Sequence, residues 1–182
     1  YRMRSYNSAA KATCHNLKAD NANLNSELGV YGHTEEADAL LTALTAAQAV
    51  ANASAVANLA RPATATTPGA RLAGLTTDAA ARSLSIGVAL GNNMIAYASD
   101  LNNDVNQSSY NCYARHFKGD TCYGIDGDIE NSMYAVTNAA WANDDTVGIG
   151  ATTVNADLAG DDQLTGGVAG GGAPTAGWAL LP

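Results

Sequence analysis

Asp100, Asn102, Asp104 and Asn106 place an oxygen-bearing side chain at every second position, a spacing at which a tight loop can aim several oxygens at one hard cation such as calcium. The run has neither the central glycine nor the closing bidentate Glu of an EF-hand loop, so a solvated Asx-rich turn accounts for the same residues without a metal. Asp126, Asp128 and Glu130 form a second acidic cluster. If the segments that carry the two clusters are neighbours, Asp100, Asn102, Asp104, Asp126 and Asp128 can share one calcium ion. Glycosidase-type chemistry needs two carboxyls about 5 to 9 Å apart across a cleft with one of them buried, and acids on glycine-flanked turns do not suit it. Cys14-His15 with His116 is not read as nucleophile and base. Adjacent helical residues point about 100° apart, which leaves Cys14 as a small buried hydrophobe and His15 on the surface. The cysteines and histidines lack the spacing of a haem or zinc motif. No catalytic residue is assigned, the chain is not read as an enzyme, and calcium is the one cofactor considered.

The composition narrows the classes further. The chain has 182 residues, 47% hydrophobic and 14% charged, enough apolar material for a core in one domain. A net charge of -8 repels phosphate backbones and anionic lipid, so nucleic acid is not an expected partner. No apolar run approaches the roughly 20 residues that span a bilayer. Three cysteines make neither a zinc set nor a disulfide framework, but one bridge plus one thiol suits an exported chain. Tyr1-Arg2-Met3-Arg4 is not a signal peptide, so any export signal is expected to lie outside this sequence.

The elements that must position these residues begin with one helix. From Tyr1 to Leu28 there is no Gly or Pro, and Met3, Tyr6, Ala10, Cys14, Leu17, Asn21, Leu24 and Leu28 recur every three or four residues, the stripe of an amphipathic helix. Gly29 stops it. Its start has no Ser, Thr, Asp or Asn cap, and Arg2 and Arg4 lie at the positive end of the dipole, which leads us to expect that the helix continues upstream of Tyr1. Thr34 with Glu35, Glu36 and Asp38 reads as the start of a second, alanine-rich helix over 34–60, ended by Arg61-Pro62. Residues 62–78 read as a loop. Alternation over Leu84, Ile86, Val88 and Leu90, then Gly91-Asn92-Asn93 and Met94 to Ala98, reads as a hairpin. A second hairpin is expected from Ser109 to Phe117 and Thr121 to Ile125 about a Lys118-Gly119-Asp120 turn. Residues 132–142 could be strand or short helix, and 143–182 a loop-rich end anchored by Trp178 and Ala179-Leu180-Leu181. The fold class expected is α+β, an N-terminal amphipathic helix packed on an antiparallel sheet spanning 83–137.

Tyr1-Arg2-Met3-Arg4-Ser5-Tyr6-Asn7-Ser8-Ala9-Ala10 and Asn16-Leu17-Lys18 resemble the middle of the first helix of type IV pilins, especially the short pilins of metal-reducing bacteria. Ala114-Arg115-His116-Phe117-Lys118-Gly119-Asp120 and Tyr123-Gly124-Ile125-Asp126 are similar to a strand, turn, strand pattern in related heads. The resemblance implies that residues 1–28 are the C-terminal half of the pilin helix and 29–182 the globular head. The apolar half is absent from this sequence, and with it the membrane contact and the acidic residue that sets subunit register. That half would come from upstream or from a separate hydrophobic pilin subunit. The implied function is a structural subunit of an extracellular, cell-surface filament, self-assembling as a helical homopolymer. The alternatives are a minor pilin or secretion pseudopilin and, in a different class, a secreted calcium-dependent adhesion module. Tyr1, Met3, Tyr6 and Ala10 would face neighbouring subunits.

Cys112 and Cys122 are the nearest cysteine pair in sequence and the first choice for a disulfide. In a hairpin with Phe117 opposite Thr121, however, His116 faces Cys122 and Cys112 lies four residues further on, about 13 Å along the strand. A bridge needs Cα atoms within about 7 Å. Either the hairpin is irregular or Cys14 pairs with one of them.

Overall fold

The computed structural model describes residues 1–36, 56–58, 70–76, 79–80, 82–99, 109–127, 132–143 and 178–182. Helix α1 spans Arg2–Leu28 and ends at Gly29, which takes the left-handed conformation (φ 81°) and donates its N–H to the Asn25 carbonyl at 2.7 Å. A residue with a Cβ would be strained there. Tyr1 occupies the N-cap position without a side-chain capping bond, and the first turn holds no acid. The stripe read from spacing is the buried one over most of the helix: Ala10, Cys14, Leu17, Asn21, Leu24 and Leu28 are buried, joined by Thr13.

Among the described residues nine strands follow, all paired antiparallel. Strands β1 (His33–Glu36), β3 (Ala70–Leu75) and β4 (Ser83–Val88) form a three-stranded sheet in the order β1-β3-β4. Strands β2 (Val56–Asn58), β5 (Met94–Ser99), β6 (Asn111–His116), β7 (Thr121–Asp126), β8 (Tyr134–Thr137) and β9 (Ala179–Leu180) form a six-stranded sheet in that order. A 3-10 turn over Ala139–Trp141 follows β8, capped by the Asn138 side chain, which accepts from the Ala140 N–H. Both readings of 132–142 are therefore realised in succession. The α+β class holds, with one N-terminal helix against antiparallel sheets.

Four expectations are corrected. Thr34 does not open a helix: residues 33–36 and 56–58 are strands, and residues 37–55 and 59–60 of the expected alanine-rich helix lie outside the described residues. The Thr34 hydroxyl oxygen accepts from the Ala98 N–H at 3.1 Å, so the capping group serves a tertiary bond between the sheets instead of a local one. The segment expected as loop contains β3. Strands β4 and β5 are not a hairpin, since β4 pairs with β3 and β5 with β2 and β6. The intervening turn, where Met94 donates to the Gly91 carbonyl at 3.2 Å and Asn93 has φ 58°, carries the chain from one sheet to the other. Alternation identifies a strand but is silent about its partner.

The fourth correction is the register of β6 and β7. Arg115 stands opposite Cys122 and Cys112 opposite Ile125, one residue away from the expected pairing. The loop is longer than a three-residue turn: Gly119 donates to the His116 carbonyl at 2.8 Å and Phe117 donates sideways to Asn93 of the preceding turn. Because side chains alternate, a slip of one residue exchanges faces. One face of the six-stranded sheet, with Ala96, Ala98, Cys112, Ala114 and Ile125, packs under α1 in a core with Cys14, Leu17 and Leu24. The other face gathers Ile95, Tyr97, Tyr113, Cys122 and Tyr134 with Trp141 and Trp178.

Candidate functional site

The cysteine reading changes with the register. All three cysteines are free thiols and fully buried. Cys112 belongs to the helix-facing core and Cys122 to the opposite face, so the expected Cys112–Cys122 bridge would have to pass through the sheet. Cys14 lies above β6 and β7, its thiol directed at the Cys112 and Tyr123 carbonyls at 3.6 and 3.7 Å. Burial pushes the Cys112 and Cys122 thiols each up to about 12 and raises Cys14 as well. Inert packing thiols, not nucleophiles, result.

Of the proposed calcium ligands, Asp100, Asn102, Asp104 and Asp128 lie outside the described residues. Asp126 closes β7 opposite Asn111 and is 1% exposed. Among the described residues no group of three or more His, Cys, Asp and Glu side chains is placed to hold a metal ion. No described helix is long and apolar enough to cross a membrane.

The residues assigned to a subunit interface are placed unequally. Tyr1 is fully exposed and Met3 is 36% exposed, with Arg2, Arg4 and Ser5 exposed beside them. Tyr6 is half-buried and stacks on His116, the ring centroids 4.4 Å apart at 19°. Ala10 is fully buried inside its own chain, which removes it from any surface that a docked helix offers. The available patch is therefore the first turn, with the outer edge of Tyr6 as its inner boundary. Its electrostatics are set by sequence: before Asp20 the helix carries Arg2, Arg4, Lys11 and Lys18 and no acid, while the rest of the chain carries five Lys and Arg against all 17 acids. The helix dipole adds to the positive end.

A polar anchor fastens the second turn. Asn7 donates from Nδ2 to Asp120 Oδ1 at 2.8 Å and to the Thr121 hydroxyl oxygen at 3.2 Å. The same Asp120 oxygen also accepts from Thr121 at 2.9 Å, and Thr121 and Thr137 share a hydroxyl contact at 3.1 Å across the β7–β8 ladder. Further along, fully buried Asn21 accepts from the Gly32 N–H at 2.9 Å and fixes the chain reversal after Gly29. Spacing placed Asn21 on the buried stripe, but Asn7, His116 and Asp120 were not singled out as a group. Nothing local marks them, because Asn7 lies more than 100 residues from Asp120. Arg115 was missed for another reason. It is fully buried on the far face, where it donates to the Trp141 carbonyl at 3.1 Å and lies over the Phe117 and Trp141 rings, an arrangement that only the observed register creates.

No protein-family model matches the chain, and no curated protein and no solved structure matches it.

Proposed function

We propose that the chain is the head and half-helix of a structural subunit in an extracellular, pilin-like filament, built by self-assembly. The observation that carries the reading is the division of α1: a 27-residue helix that buries its apolar stripe against the sheets from Ala10 to Leu28 while its first turn presents Tyr1 and Met3 to solvent. An amphipathic helix normally hides its apolar stripe, and here the exposed end is also the cationic end of an otherwise acidic chain. A second copy, acidic over most of its length, is a complementary partner for that turn. Repeated head to tail, such a heterologous contact generates a helical filament rather than a closed ring when the rotation between subunits does not close. In this reading the apolar half-helix that the pilin resemblance implies, in the same precursor or in a separate hydrophobic subunit, would pack along the filament axis above Tyr1.

Electron microscopy of cells that express the protein, with gold-labelled antibody against the folded chain, tests the proposal. Label along the length of surface fibres is expected. Label confined to fibre tips would transfer the chain to the minor-subunit class, and cell surfaces labelled without fibres would overturn the filament reading.

A further inference from the structure

His116 closes several contacts at once. Its Nδ1 accepts the Lys118 N–H at 3.0 Å, its carbonyl accepts the Gly119 N–H at 2.8 Å, and its ring lies flat on Tyr6 of α1. The turn so closed presents Asp120 to Asn7. An imidazole nitrogen that accepts a backbone N–H carries no proton, so the structure requires the neutral ring with its proton on Nε2.

We propose that the His116 turn is an acid-sensitive latch on α1: a proton taken from solvent at Nδ1 displaces the Lys118 N–H, opens the 116–120 turn and draws Asp120 away from Asn7. The second turn of the helix then keeps the Tyr6 stack and the longer Asn7–Thr121 bond, while Ala10 to Leu28 stay docked.

The charges around the ring favour this outcome. Lys118 and Arg115 flank it on the turn and strand, and from α1 the nearest charged residues in sequence to Tyr6 are Arg2, Arg4 and Lys11, all cations. Strand β5 offers Met94, the neutral cross-strand partner of His116. Asp120 is the one carboxylate of the turn, already engaged with Asn7 and Thr121. If it swings to the imidazolium it must leave Asn7, which releases the same anchor. Burial first, then Lys118 and Arg115, hold the ring below its ordinary value of 6.5. A lowered histidine contributes stability that is complete above about 6.5 and is lost as the pH falls from there through the folded-state value. The latch belongs to the single chain and does not depend on filament assembly.

Nitrogen-15 NMR on the full chain, taken from about pH 7.5 to about pH 5 across the histidine range, tests it. At the upper pH Nδ1 should be unprotonated. On acidification the Lys118 amide and the Asn7 side-chain amide should titrate with the His116 midpoint, below about 6.5. Amide protection over residues 6–10 should drop about fivefold, the equilibrium worth of one net hydrogen bond, with residues 17–28 unchanged. His116→Asn sets a non-titrating oxygen near the Nδ1 position and should abolish the pH response. A protonated Nδ1 at neutral pH, or a response that survives His116→Asn, overturns the latch. Should that variant not fold, the wild-type midpoints decide: Lys118 and Asn7 signals that titrate apart from His116 overturn it equally.

Discussion

The two halves of α1 share one apolar spacing and meet different surroundings. From Ala10 to Leu28 every stripe residue is buried, with Ala10, Cys14, Leu17, Asn21 and Leu24 fully so. At the other end Met3, on the same stripe, is 36% exposed. The helix alone cannot account for this, since its backbone is continuous and its periodicity does not change. What changes is the surface opposite. The C-terminal half lies over two sheets whose small residues let it approach: a methyl at Gly32 would overlap the Leu24 side chain and meet the Ala73 carbonyl oxygen at 2.6 Å, and one at Gly74 would press on Leu24 and Leu28 at 3.1 Å. Among the described residues, the N-terminal half is held to the 116–121 turn by one ring stack and one amide. A helix can thus be half core and half free surface without any break in its own sequence pattern.

The largest test of the docked half is Leu24→Ala. Leu24 is fully buried and packs with Leu17, Leu72 and Val88, so its loss should cost about 2–5 kcal/mol through lost transfer energy and an incompletely collapsed cavity. Urea denaturation followed by far-UV circular dichroism measures it, and a cost under about 1 kcal/mol would mean that the helix is not seated as described. Gly32→Ala comes next. Both neighbours of its added methyl are constrained, one of them backbone, so overpacking should destabilise by about 1–3 kcal/mol, read from the same titration. Neutrality there would show the 29–32 reversal to be looser than its Asn21 bonds imply.

These positions also mark how far the sequence could be read. The helix, its glycine stop and most of its stripe are local properties written in three-and-four spacing, and they were legible. So were the strand character of 84–88, 94–98 and 111–125 and the anchoring role of Trp178, which packs against Tyr113. Which strands pair was not legible: β4 and β5 alternate as a hairpin would, yet belong to different sheets, because half-buried Leu84 and Ile86 join the core from a strand paired with β3, where Ile86 stands opposite Leu72. Thr34 carried a valid capping signal that a partner 64 residues away outcompeted. The cysteine geometry turned on a one-residue register that loop length decides, and the Arg115 and His116 environments followed from it. In the candidate surface, Tyr1 and Met3 were legible as apolar residues at a cationic helix end, whereas the burial of Ala10 required knowing how far the sheet extends beneath the helix.

Asn7→Ala probes the boundary between the halves. It removes a bond to the Asp120 carboxylate at a part-buried site, and Asn7 Oδ1 itself has no hydrogen-bond partner among the described residues, so the net effect should be small, about 1 kcal/mol. The discriminating readout is local: amide protection over residues 5–9 should fall while that over 17–28 is retained. Equal loss along the whole helix would show that the two halves unfold as one unit and that the division drawn here has no energetic counterpart.

The smallest expected effect on stability belongs to Met3→Glu, and it is the sharpest test of what the free half is for. Met3 is 36% exposed and belongs to none of the core clusters among the described residues, so replacing it should leave the denaturation midpoint of the isolated chain within the roughly 0.5 kcal/mol scatter of surface substitutions. A glutamate in the first turn also suits the helix dipole, which offsets part of any lost packing. If the first turn instead meets a second copy, the new carboxylate would be buried against an acidic neighbour, and a like charge at an interface costs several kcal/mol. Fibre yield in the complete subunit should then fall steeply although the head still folds. Leu24→Glu supplies the contrast, since an unpaired charge in the helix–sheet core unfolds the head before assembly is reached. Normal fibres from the Met3→Glu subunit would mean that the exposed turn is ordinary solvent-facing surface, and equal damage to the isolated head by both substitutions would mean that Met3 is packed within its own chain after all.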